Sequence, residues 1–138
     1  MKKTLPLLLL CLLLAACGGD EGADTPEEAV TRFIEALQSG DQEDIYAAVH
    51  RREGESFQKS DERMDWNRWD YCNIDEFTIV ESVLDGNRAK VTIHTKREVD
   101  EQIVEQDELV VCIQENKKWK VTMSGSSPLF MPPSKKPE

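Results

Sequence analysis

Two histidines, four cysteines and a charged cluster late in the chain are the side chains with chemistry to offer. Thr95, Arg97, Glu105 and Asp107 stand at odd-numbered positions in two segments whose odd-numbered residues are otherwise apolar. Strand periodicity puts all four on the core face, at the sheet end remote from Asp85-Gly86-Asn87. Unpaired charge on a core face is costly. Two readings account for it. Either this end flares into solvent and Arg97 pairs across strands with Glu105, or it is a polar pocket mouth in which Arg97 holds an anionic ligand group. His94 is even-numbered and is expected to point to solvent. His50 closes a helical segment, where a partly positive side chain suits the helix dipole. With Asp65 or Asp107 it forms the best acid–base pair on offer. Trp66, Trp69 and Tyr71 either stack on a ligand or close a core. No His/Cys cluster has zinc spacing, no Gly-x-Ser-x-Gly or phosphate-cradling loop occurs, and Asp61 and Asp65 lack calcium-loop spacing. The sequence thus implies no metal and no cofactor.

The remaining chemistry is on a cysteine. Met1-Lys2-Lys3-Thr4 is followed by an apolar run from Leu5 to Leu14 and then by Ala15-Ala16-Cys17. A basic start, a short apolar core and a small-residue cleavage site make a secretory signal peptide. The run is far short of the roughly 20 apolar residues that span a bilayer. Leu14-Ala15-Ala16-Cys17 resembles the lipobox of bacterial lipoproteins. The resemblance implies a lipid on the Cys17 thiol, cleavage before Cys17 and acylation, typically with palmitate, of the new N-terminus. More than one acyl chain makes a stable anchor without a spanning segment. Gly18, rather than an aspartate, follows the cysteine, a pattern similar to the outer-membrane class of proteobacterial lipoproteins. The expected location is the cell envelope, facing the periplasm from the outer membrane if the host is Gram-negative.

Loss of Lys2 and Lys3 takes the formal charge from −10 to −12. Such a surface repels nucleic acid and anionic lipid heads and favours solubility. Cys11 leaves with the signal peptide and Cys17 is taken by lipid, so Cys72 and Cys112 remain. Outside the cytoplasm two such thiols suggest a disulfide. Strand counting argues the other way: Cys72 precedes the first strand near the Val99–Glu101 end, whereas Cys112 belongs beside Ala89. A bridge requires Cα atoms within about 7 Å, so two free buried cysteines are the alternative.

These residues must be positioned by about 120 mature residues, enough for one domain. The expected organisation is a signal peptide over 1–16, a lipidated Gly-rich tether over 17–24, a domain over 25–124 and a Pro-rich disordered tail over 125–138. Within that tail Leu129-Phe130-Met131 is an apolar island that either packs back on the domain or docks on a partner. Thr25, Pro26 and Glu28 form a helix start with a capping box. Val30, Phe33, Ile34 and Leu37 make one apolar stripe, and Gly40 ends the helix. Asp41 caps a second helix with Ile45, Ala48 and Val49 buried. Ser60-Asp61 predicts a third, carrying Met64. From Ile74 the period becomes two. Ile79 and Val83, then Ala89, Val91 and Ile93, then Leu109, Val111 and Ile113, then Trp119, Val121 and Met123 define four strands with every core position odd-numbered. Asp85-Gly86-Asn87 and Glu115-Asn116-Lys117 are the turns. Helices followed by an antiparallel meander make an α+β domain.

Pro26-Glu27-Glu28-Ala29-Val30, the Ser39-Gly40-Asp41 corner, Arg88-Ala89-Lys90-Val91-Thr92 and Lys118-Trp119-Lys120-Val121 together resemble small bacterial lipoproteins of the nuclear-transport-factor-2-like superfamily, a cystatin-like α+β fold described as domains of unknown function. The resemblance covers residues 25–124. It implies a curved sheet of about four strands wrapped around helices, with a cone-shaped cavity between them. The superfamily includes isomerases, dehydratases and many binding modules, and fold alone does not choose among them. The expectation is a non-catalytic domain on a lipid anchor, binding a small molecule or an envelope protein through Arg97, Glu105, Asp107, Trp66 and Trp69. The alternative is an acid–base isomerase or dehydratase with a pocket between helices and sheet.

Overall fold

The computed structural model describes residues 22–59, without the side chains of 57–59, and residues 74–130. The first helix, α1 (Pro26–Ser39), forms where the sequence places it. The Thr25 side chain accepts from the Glu28 N–H, and the Glu28 carboxylate accepts from the Asp24 N–H, one residue earlier than a standard capping box. Gly40 closes the helix in the left-handed region, with φ of 71°. Val30, Phe33 and Ile34 are buried, and Leu37 is partly so. Asp41 caps α2 (Gln42–Ala48) by accepting from the Glu43 and Asp44 N–H groups. Ile45 and Val49 are buried, and Ala48 packs partly against them.

Residues 51–59 form a further helix, α3 (Arg51–Lys59). It is almost entirely polar, so it carries no apolar stripe to read. Two residues hold it in place. The Glu53 carboxylate accepts from the Thr122 hydroxyl at 2.9 Å and from the Met123 N–H at 3.0 Å. Gly54 lets the backbone of α2 approach, since a Cβ there would stand 2.8 Å from the Tyr46 carbonyl oxygen. The expected helix at Ser60-Asp61, with Met64, lies outside the described residues.

Four strands follow, β1 (Glu76–Asp85), β2 (Arg88–Val99), β3 (Gln102–Glu115) and β4 (Lys118–Thr122), as one antiparallel meander in the order β1-β2-β3-β4. With helices on one face this is the α+β architecture expected. No helix among the described residues is long and apolar enough to cross a membrane.

The all-odd core pattern does not hold. Each hairpin turn contains two residues, so Asp85 pairs with Arg88, Val99 with Gln102 and Glu115 with Lys118. A two-residue turn pairs odd with even, and cross-strand partners share a face. On β3 the core residues are therefore Val110 and Cys112, not Leu109, Val111 and Ile113. Val111 is still buried, because the chain near Gly125 lies against its outer side. The Asp100-Glu101 and Asn116-Lys117 turns have φ of 51° and 66° and of 51° and 65°, the left-handed conformation that matches strand twist. On β1 a bulge between Ile79 and Glu81 shifts the register. Ile79 thus faces inward as expected, whereas Val83 turns outward and is 50% exposed.

The two ends of the described chain are also better ordered than expected. Ala23, placed in the tether, is buried and exchanges two backbone hydrogen bonds with Trp119 at 3.0 and 2.8 Å. Residues 125–130, placed in a disordered tail, pack on the domain. Ser126 and Ser127 accept from the Val111 and Leu109 N–H groups, and a short 3₁₀ turn, Pro128–Phe130, delivers Phe130 into the core edge-on to Phe33 at 5.7 Å. The apolar island at Leu129-Phe130 thus packs back on its own domain.

Candidate functional site

The helix-facing side of the sheet changes character along its length. At the turn end Ala89, Cys112 and Val121 form one row across β2, β3 and β4, and Val91 and Val110 the next. All five are fully buried. Ile79, Ile93 and Glu108 share the following row, then Phe77, Thr95 and Gln106, then Arg97 and Val104. Polar side chains therefore enter the core face stepwise toward the end where Glu76 begins the sheet.

These groups are joined. The Thr95 hydroxyl is fully buried and donates to the Gln106 carbonyl at 3.2 Å. The Gln106 side-chain amide donates to Glu108, whose residue is only 8% exposed. Arg97 lies beside them with its Nε buried. The margin of the site is fixed by two hydrogen bonds: the Gln38 side-chain amide donates to the Ile74 carbonyl at 2.8 Å, and the Asp75 backbone N–H to the Lys96 carbonyl at 2.9 Å. Burying the Glu108 carboxylate and the Arg97 Nε on a core face is costly without dedicated partners. A hydrogen-bonding cluster of this kind can hold the polar groups of a small molecule.

Arg97 and Thr95 stand on the expected face; Glu105 and Asp107 do not. The Asp100-Glu101 turn puts both carboxylates on the outer face, where Lys96 pairs with Glu105 and His94 with Asp107 in the strand register. His94 Nδ1 is 2.8 Å from Asp107, and Nε2 is 3.6 Å from Glu105. The Asp107 hydrogen bond, seconded by Glu105, raises the His94 pKa above its ordinary value. The residues missed by sequence reasoning are Gln106 and Glu108, the even-numbered neighbours of the two expected carboxylates. A turn without glycine or proline offers no signal of its length, so the flip was not readable.

His50 does not meet Asp107. Its N–H donates to the Val121 carbonyl at 2.7 Å, and its ring lies 2.6 Å from Glu115. That hydrogen bond holds the Glu115 carboxyl below the usual carboxylate range. The pair sits at the turn end, seven residues along β3 from Glu108, about 24 Å of strand. Cys112 lies beside Ala89 as strand counting placed it. It is a free thiol facing the Pro26 carbonyl, and burial pushes it up to about 12. Cys17, Asp65, Trp66, Trp69, Tyr71 and Cys72 lie outside the described residues. Among the described residues no group of three His, Cys, Asp or Glu side chains is placed to hold a metal ion.

No protein-family model and no curated protein matches this chain. Among solved structures it is similar to the solution structure of a SEC-C motif containing protein from Rhodopseudomonas palustris, with 16% identity over 73% of this chain and 77% of that one and a TM-score of 0.54. A designed nuclear-transport-factor-2-like protein also matches, with 12% identity over 71% of this chain and 92% of that one and a TM-score of 0.48. The first likeness is one of fold. Folds of this breadth host many functions, so activity has to be argued from the site.

Proposed function

We propose that this chain is a cell-envelope lipoprotein, anchored by lipid on Cys17, whose domain binds a small polar molecule at the Thr95–Arg97–Gln106–Glu108 end of the sheet without transforming it. One observation carries the ligand part: a hydrogen-bonding cluster, buried at Thr95 and Glu108 and half-buried at Gln106 and Arg97, on a face that is otherwise apolar. The anchor rests on the Leu14-Ala15-Ala16-Cys17 signal. The mature protein, exported with Cys17 replaced, is the test material. Native mass spectrometry is expected to detect an extra mass that leaves on denaturation. Arg97→Ala and Glu108→Leu are expected to lose it while staying folded. Retention of the mass by both variants would remove this site from consideration.

A second reading has its own support. The strand β4 is closed at its outer edge by Ala23 and His50, whereas β1 stands at the other edge of the sheet. Val80, Val83 and Leu84 on β1 are all at least half exposed. An exposed apolar edge suits an envelope protein as partner. In the enzyme alternative His50 and Glu115 supply the acid–base pair, at the end of the sheet away from Arg97. Turnover that persists in an Arg97→Ala variant and vanishes in His50→Gln would favour that alternative.

A further inference from the structure

A groove of about 380 Å³ lies outside the helix–sheet core, between α1, α2 and the start of β4. Its wall is made of short side chains, Ala29 and Ala36 on α1 and Ala47 and Ala48 on α2, with the Trp119 ring beside them. The lining on α1 runs from Ala29 through Arg32 and Ala36 to Ser39. That spacing follows one helix face for ten residues, about 15 Å. The space therefore extends along α1, and its charged side chains, among them exposed Glu35 and Asp44, belong to the rim. A trough of this shape suits a run of methylenes.

What occupies it is indicated by where the chain leaves it. Gly22 lines the groove, and the Arg32 guanidinium donates to the Gly22 carbonyl at 2.9 Å. The next residue, Ala23, is clamped to Trp119. The N-terminal chain thus departs from a pinned point on the groove itself. Cys17 is five residues before that point, a span of at most about 18 Å. We infer that the groove receives one acyl chain of the lipid carried by Cys17. The inference rests on the lipoprotein reading above. A chain already in a bilayer gains little by the move, whereas a chain in water gains the burial of its methylenes. The groove accordingly shields the anchor in the membrane-free protein.

Alanine-methyl NMR tests this on the mature chain in two forms, lipidated and Cys17→Ser, in buffer without vesicles. Intact mass first reads whether Cys17 carries lipid. In the Cys17→Ser form, dodecanoate below its micelle concentration is expected to shift the methyls of Ala29, Ala36, Ala47 and Ala48. Ala47→Trp, at an exposed position on α2, is expected to abolish that response with the remaining spectrum unchanged. In the lipidated form the same methyls are expected to be shifted already and to ignore dodecanoate. Failure of dodecanoate to move them in the Cys17→Ser form overturns the inference and leaves the lipoprotein reading standing. An equal response in both forms overturns the assignment of the protein's own lipid and leaves a site for free fatty acid. A mass without lipid overturns the lipoprotein reading, and the inference with it.

Discussion

The two ends of one sheet face differ in what they turn toward the helices. At the turn end, Ala89, Val91, Val110, Cys112 and Val121 are fully buried, in one core cluster with Phe33 and Phe130. At the other end Thr95, Gln106, Glu108 and Arg97 occupy equivalent inward positions with hydrogen-bonding groups. The backbone ladder is continuous between them, so strand pairing does not explain the change. Apolar burial stabilises roughly in proportion to area, and the polar end forgoes that gain. A surface that gives up packing while keeping its strands is what a binding site needs.

The largest effect that separates the ends is expected at Phe33. Phe33→Ala removes a fully buried ring and its edge-on partner and should cost about 3–5 kcal/mol in urea unfolding. A cost under about 1 kcal/mol would mean that the sealed end is not the core. Next comes Glu53→Ala, which leaves the Met123 N–H and the Thr122 hydroxyl without their acceptor; a loss of about 1–3 kcal/mol is expected by the same measurement.

Substitution at the polar end should cost far less. Replacing a buried charge with an apolar side chain of similar volume is often neutral or stabilising. Glu108→Leu is therefore expected to hold or raise the urea midpoint while ligand mass is lost. A collapse of stability instead would make Glu108 a structural residue.

The smallest effect concerns the outer face. His94 has its pKa raised in the folded state by Asp107. Its pairing thus stabilises the fold fully below the ordinary histidine value and fades as pH rises through the raised one. Glu115, held low by His50, works in the opposite sense: its contribution is present above the ordinary carboxylate value and fades as pH falls through the depressed one. Both pairs involve an exposed carboxylate, so each effect is small. His94→Gln should narrow the gap in melting temperature from wild type as pH goes from 6 to 9. An unchanged gap would show that His94 is not paired in solution.

Periodicity within a segment was readable; parity between segments was not. Residues of α1 from Val30 to Leu37 could be assigned from spacing, because a helix face repeats within a single stretch of chain. The four strands and the α+β class were legible for the same reason. Gln106 and Glu108 could not be separated from Glu105 and Asp107, because the choice depends on a two-residue turn at Asp100-Glu101. The polar helix α3 was equally silent, since Glu53 and Gly54 acquire meaning only against Thr122 and Tyr46.

By itself, the amino-acid sequence determined the capped first helix and the number of strands, and it carries the Leu14-Ala15-Ala16-Cys17 stretch on which the proposed anchor rests. All of these are written in neighbouring residues and need no long-range contact. Only the tertiary structure decided which carboxylates face the core, that His50 meets Glu115, that Phe130 returns to Phe33, and that Gly22 opens onto a groove between α1 and α2. Each of these depends on register or docking between segments far apart in the chain, and a one-residue shift in register reverses the face of every side chain that follows.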